Sequence, residues 1–375
     1  MKKTLLATAI AGALGVSAAA QAATVYDQDG TRLDLYGRIA LGVSGGGEKA
    51  ADGEPKTQGS EFRDVSSRFG LRGSQQLSSD LTAFGNFEVR PKLDEVNSED
   101  QQVRNSYLGL RSNQFGTLQA GNFDSFYLET VSAPFDVYVD KGLEFTGGGH
   151  QARGDSIGYI SPNLEGFQVY LMAKHYTGNT NSRTLGEGEG TGRMAGSPGS
   201  NSSVWNAAGG ATYEIDNLRL AVGFAEDRSR GSDVEDYSAL GDTFKAGETT
   251  YGASAVYEFM PGFSGRLGYE QQSDNDAKIG VGASYAINEW SFNLDYYNIR
   301  ARGEHKDALN AEDFDTTRHS WAAGAYYAVS SNFDVFGEVQ QADQQSISVF
   351  GDGTSEELRA TRDNTYWLVG ARYHF

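Results

Sequence analysis

The chain has no cysteine in 375 residues. Disulfides are excluded, and with them thiolate metal sites and thiol nucleophiles. Proline occurs only 6 times, so few segments are barred from continuous backbone pairing. Beyond residue 22 no apolar run approaches the roughly 20 residues that a membrane helix needs. Positive charge is also scarce: 31 Lys and Arg stand against 50 Asp and Glu, a formal net charge of −19. A surface of that sign repels a phosphate backbone, so nucleic acid is not an expected partner. Catalytic signatures are missing too. His150, His175, His305, His319 and His374 lie in neither a Gly-x-Ser-x-Gly nor a His-Glu-x-x-His context. No phosphate-cradling glycine loop and no calcium-loop spacing occurs. No enzyme activity, cofactor or metal is therefore expected.

What is abundant is glycine (48), tyrosine (20) and phenylalanine (20). The amino terminus stands apart. Lys2 and Lys3 precede an apolar stretch, Leu5 to Ala20, and an Ala20-Gln21-Ala22 cleavage pattern. This is the layout of a secretory signal, which assigns residues 1–22 to a cleaved peptide and 23–375 to one folded domain. Removing Lys2 and Lys3 moves the formal net charge to −21.

From Thr31 onward, apolar and polar residues alternate. Strand side chains point to opposite faces at successive positions. In the first segment Leu33, Leu35, Ile39, Leu41 and Val43 share one parity, and Tyr36 and Arg38 the other. Segments of this kind recur to the carboxyl end, for example Trp290, Phe292, Leu294 and Tyr296, or Trp367, Val369, Ala371, Tyr373 and Phe375. Short turns alternate with long polar loops, and the count reaches sixteen. A soluble sandwich also alternates, but it rarely keeps long loops at one end over so many hairpins. The pattern predicts an all-β fold: a 16-stranded antiparallel transmembrane β-barrel with an apolar band outside and a water-filled lumen. Aromatics near the strand ends, including Tyr213, Phe259, Trp290, Tyr327 and Phe333, fit interfacial girdles. In the fourth strand, parity places Arg104 inward and Tyr107 outward. In the sixth it turns Gly154, Ser156, Gly158 and Ile160 outward, a poor lipid face that reads as a contact with another subunit.

The stretch Gly121 to Arg153 breaks the pattern. It is about thirty residues long, acidic, and ends in Gly147-Gly148-Gly149. Loops of that length inside a compact fold are functional or disordered. It is expected to fold inward as the third loop and narrow the bore over residues 121–152. Arg38, Arg68, Arg104 and Arg153 fall on the lumen parity of the early strands. On the lipid face each would cost about 2–4 kcal/mol at the midplane. Opposite them the loop offers Asp140 and Glu144, with Asp136 nearby. Cations on one wall and carboxylates on the other set a transverse field, the arrangement that tunes ion passage.

These residues are also familiar. SRFGLRG (Ser67–Gly73), RNSYLGLR (Arg104–Arg111), LEFTGG (Leu143–Gly148) and the opening ATVYDQDGTRLDLYG (Ala23–Gly37) occur in order. Across the mature sequence the chain resembles the general-diffusion porins of Gram-negative outer membranes. The resemblance implies homotrimers among outer-membrane lipid and lipopolysaccharide, and passive diffusion of ions and small hydrophilic solutes. It implies pore cations at Arg38, Arg68, Arg104 and Arg153, acids at Asp140 and Glu144, and a barrel-insertion signal at the terminal Phe375. Two features depart from it: Leu143 stands where the family has proline, and Lys141 adjoins Asp140. A substrate-selective sugar or phosphate channel is the alternative. Tyr127, Tyr138 and Phe145 would then form a stacking track, or else simply pack the loop to the wall. A surface protein without conduction is a third reading. The acidic loops lean the expected ion preference toward cations.

Overall fold

A computed structural model describes residues 22–47, 60–94, 102–140, 142–143, 145, 155–176, 204–227, 248–272, 276–311, 315–342 and 364–375. The strands of the first half are β1 (Ala23–Gln28), β2 (Thr31–Gly47), β3 (Glu61–Asp64), β4 (Arg68–Gln76), β5 (Leu81–Arg90), β6 (Gln102–Ser112), β7 (Gly116–Asn122), β8 (Asp155–Ile160) and β9 (Phe167–Tyr176). The second half holds β10 (Val204–Ile215), β11 (Leu218–Asp227), β12 (Glu248–Met260), β13 (Phe263–Gln272), β14 (Asp276–Ile287), β15 (Trp290–Ala301), β16 (Thr317–Ala328), β17 (Phe333–Ala342) and β18 (Asn364–His374). A helix, α1 (Gly303–Ala311), lies between β15 and β16 in what reads from sequence as a plain charged loop.

All of these strands pair antiparallel in one sheet that closes on itself. The 18 segments make sixteen staves. β3 and β4 together form one stave, since both pair with β2, at Leu41–Ser44 and Thr31–Arg38 respectively. Between them Ser66 takes a left-handed φ of 64°. β1 adds no stave either. It folds back through Asp29-Gly30, both at positive φ, the tight hairpin chemistry of an Asp-Gly pair. It then covers the part of β2 that β18 leaves open: β18 pairs with β2 only from Gly47 to Arg38, and β1 from Leu35 to Thr31. Phe375 spans the gap, its carbonyl accepting from Gly37 N at 2.8 Å and its N–H donating to Gly37 O at 3.1 Å. The two ends of the domain thus seal the last edge, and an unpaired edge cannot persist in hydrocarbon.

The outer parity is apolar and exposed over most of the wall, as at Val222, Leu267, Leu294 and Val369. Rings meet along it near the short turns. Tyr257, Phe259, Phe263 and Tyr285 form one chain of contacts, and Phe292, Trp290 and Tyr327 another. They form the expected girdle.

Two outward assignments are overturned. Tyr107 faces inward, against Phe84 and Phe123, while Leu108 and Leu110 take the outer face. The cause is an irregularity where β5 meets β6: Glu88 pairs with Asn105 but Val89 with Val103. The additional residue is Arg104, and a bulge reverses parity across itself, so Arg104 and Tyr107 both point into the barrel. In β8, Ile157 and Tyr159 are outside, whereas Ser156 is buried and Gly158 lies under Phe123 and Phe126. The small residues of this strand make room for the loop, and the reading of them as a subunit contact is withdrawn.

Candidate functional site

The inward turn starts with backbone geometry. Gly121 sits at φ +129°, where a Cβ would run into the Ser106 carbonyl. Only glycine adopts such a conformation cheaply, and after Asn122 the chain leaves the sheet. It winds through a wide helical turn, Leu128–Ser132, and a 3₁₀ turn, Ala133–Phe135. Its rings point down onto the wall: Phe123 is 2% exposed, and Phe126, Tyr127, Phe135 and Phe145 are 0%. Burying each contributes about 2 kcal/mol. The wall answers with glycines. Added side chains at Gly210 and Gly223 would meet Thr130 or Val131, at Gly252 Tyr127, and at Gly268 and Gly280 Phe135 or Phe145. Much of the glycine abundance is the footprint of this segment.

Polar groups fix its course across half of the barrel. The Tyr127 hydroxyl donates to Glu270 at 3.0 Å, Arg219 to the Thr130 carbonyl at 3.2 Å, and Tyr138 to the Ala322 carbonyl at 2.9 Å. Glu338 accepts from the backbone N–H groups of Val139 and Asp140, and Tyr326 donates to the same carboxylate at 2.6 Å. Beneath Val137 lies a buried relay. Arg266 donates twice to Asp295 at 2.7 Å and once to Ser284 at 2.6 Å. Ser284 donates to Asn293 at 2.6 Å, and Asn293 to the Val137 carbonyl at 3.1 Å. Tyr127, Tyr138 and Phe145, the residues considered for a stacking track, are all buried in this packing.

The arginines gather on the opposite wall. Arg38 and Arg68 are register partners on β2 and β4. The left-handed Ser66 turns its carbonyl to accept from Arg38 Nε at 3.1 Å. Arg38 has no carboxylate partner among the described residues. Arg68 lies 3.9 Å from Glu88, and Arg104 bridges Glu88 and Asp124, each at 2.8 Å. Glu88, 3% exposed, is also 3.0 Å from the Tyr36 hydroxyl. Asp140 pairs with Arg63 at 3.4 Å, and Asp136 is exposed. Arg153, Glu144 and Lys141 lie outside the described residues. Glu88, Asp124 and Arg63 were missed as site residues. Glu88 was legible, being on the inner parity two positions before Arg90. Arg63 was not, because nothing in the sequence marks the break that aims it at Asp140.

Two loop carboxyls are shifted. Glu129 reaches water but is hemmed in by the wall. Partial desolvation, then the nearby Asp124 charge, push it up to about 7. Desolvation also raises Asp136, while Arg104, Arg68 and Arg38 pull it back. Asp136 therefore lies in the field of the arginine wall. Arginine stays charged throughout the ordinary range. Lowering the pH from 8 to 5 should then remove negative charge from the loop while the arginine wall keeps its charge, and the cation-to-anion permeability ratio should fall. Reversal potentials in a salt gradient measure it. Glu129→Gln should abolish the part of the fall centred near pH 7.

A family model described as Gram-negative porin matches residues 7–375. The chain belongs to that family. A monosaccharide porin from a Halomonas species is 27% identical over 390 residues, covering 100% of this chain and 91% of that protein. Among solved structures, Salmonella typhi OmpF in complex with daunomycin superposes with a TM-score of 0.68 at 18% identity, over 94% of this chain and 100% of the other. OmpT of Vibrio cholerae in its trimer form gives 0.62 at 17% identity, over 92% and 100%. This porin is an integral β-barrel of the Gram-negative outer membrane. Its closed barrel is a water-filled channel through which ions and small hydrophilic solutes diffuse passively.

Proposed function

We propose that diffusion through this porin is limited where the arginine wall faces the inward segment. Arg38, Arg68 and Arg104 form the basic side, with Arg153 as a fourth member. Asp136, Asp140 and Glu144 form the acidic side, on the third loop over residues 121–152. The supporting observation is that the segment is bonded to β13, β16 and β17, leaving Arg38 and Arg68 on the uncovered part of the wall. The role is passage rather than turnover. Residues 1–22 leave as an export signal, Phe375 serves as the insertion signal, and the barrels assemble as homotrimers among lipopolysaccharide. A relative named as a monosaccharide porin favours a sugar-selective second reading. The burial of Tyr127, Tyr138 and Phe145 counts against a loop-borne stacking track.

Purified protein in a planar bilayer tests this. Ohmic openings in KCl that glucose does not block in a saturable way are the expected result. Saturable block by glucose would favour the selective channel, and silence would reject both.

A further inference from the structure

Two arginines on the inner wall are stacked on rings. The Arg72 guanidinium lies 4.0 Å over Tyr36, and that of Arg111 lies 4.9 Å over Phe84. They lie between the arginine cluster and the short turns: Arg72 is in register with Asp34 and Asn86, and Arg111 with Thr82. Neither has a carboxylate within ion-pair distance among the described residues. Asp34, directly opposite Arg72, is turned away, bound to Arg32 at 2.9 Å and accepting from Thr24 at 2.8 Å. Phe84 meets Tyr107 edge to face at 6.4 Å; both rings are half-buried, and Tyr107 leans with its other side on Phe123 of the loop. Stacking leaves the N–H edge of a guanidinium open, and that edge matches a carboxylate.

We propose that this wall is a transit subsite for aromatic carboxylates. The solute's ring lies against Phe84 and Tyr107, and its carboxylate takes the guanidinium edge of Arg111, with Arg72 next on the way to the arginine cluster. An aliphatic acid finds the charge without the ring contact; a neutral arene finds the ring without the charge. A sugar platform would need amides and carboxylates around the rings. Here the amide is Asn86, whose oxygen already accepts from Tyr36 at 2.9 Å. The proposal rests on the diffusion-limiting role of the basic wall argued above.

The full-length porin in a planar bilayer, with sodium benzoate on the short-turn side, tests it. Benzoate should reduce KCl current saturably, and cyclohexanecarboxylate and acetate should act far more weakly. Phe84→Leu and Arg111→Gln should each raise the half-blocking benzoate concentration roughly tenfold, about the loss of one charge-assisted or stacking contact. Unblocked KCl conductance should persist in both variants, which shows that the barrel is intact. Equal action of benzoate and cyclohexanecarboxylate, or a benzoate block that Phe84→Leu leaves unchanged, would overturn the subsite alone. A wild-type protein silent in KCl would overturn the diffusion reading together with it.

Discussion

Asp295→Ala should destabilise the barrel by about 3–5 kcal/mol, the usual cost of stripping one partner from a buried ion pair. Asp295 and Arg266 have side chains 0% and 3% exposed, and their two bonds are both 2.7 Å. Without the carboxylate, a full guanidinium charge stays buried beside Phe135 and the apolar underside of the loop. The effect should reach the channel as well. Arg266 holds Ser284, which holds Asn293, which holds the Val137 carbonyl. With that bond weakened and the Val137 carbonyl left to the Tyr326 hydroxyl at 3.3 Å, the segment should loosen, and open-channel current should become noisier although Asp295 does not touch the path. Denaturant midpoints for detergent-refolded protein measure the first effect and bilayer recordings the second. The double change Arg266→Met, Asp295→Leu separates charge from packing. It should regain most of the stability, because an apolar pair of similar volume replaces a buried ion pair at little cost, while the noise remains, because the relay is still cut. A noise level restored with stability would show that the relay does not hold the loop.

Much of this architecture could be read from the chain. Period-two alternation defines the staves, because a one-residue slip would put charge into hydrocarbon. The asymmetry of loop lengths orients them. The inward placement of Arg38, Arg68 and Arg104 is legible from parity and cost. What escaped has one physical source: local departures from regular pleating. The extra residue at Arg104 reverses the parity of Tyr107, and alternation counted from either end cannot register it. The left-handed Ser66 splits one stave into β3 and β4 and aims Arg63 at Asp140. In β8 the pattern was misread because lipid was taken as the only neighbour that demands large residues. There the demanding neighbour is the loop, and it demands small ones. The same rule explains Gly252, Gly268 and Gly280, where rings from a segment over a hundred residues away occupy the space. Glycine on one parity of consecutive strands is therefore a signal, visible in sequence, that something lies on that face.

Arg104→Ala combined with Arg68→Ala should widen the basic side of the bore and shift the porin toward cations. Among the described residues the pair leaves Glu88 with no cation, retaining only the Tyr36 hydroxyl at 3.0 Å. Asp124 loses its 2.8 Å bond to Arg104 as well. Two positive charges disappear while the Glu88 charge is uncovered, so both changes act in the same direction. At about 5 Å in water one unit charge alters an ion's energy by about 0.8 kcal/mol, and 0.1 M salt screens part of that. The cation-to-anion permeability ratio should rise by roughly threefold to tenfold, with faster liposome swelling for disaccharides than in the wild type. Glu88 complicates the design, since a buried unpaired carboxylate destabilises. Adding Glu88→Gln removes that charge, so the triple variant should keep the faster swelling and lose much of the gain in selectivity. If swelling and reversal potential both stayed at wild-type values in the double variant, Arg68 and Arg104 would not line the limiting aperture, and the narrowing would have to lie elsewhere along the bore.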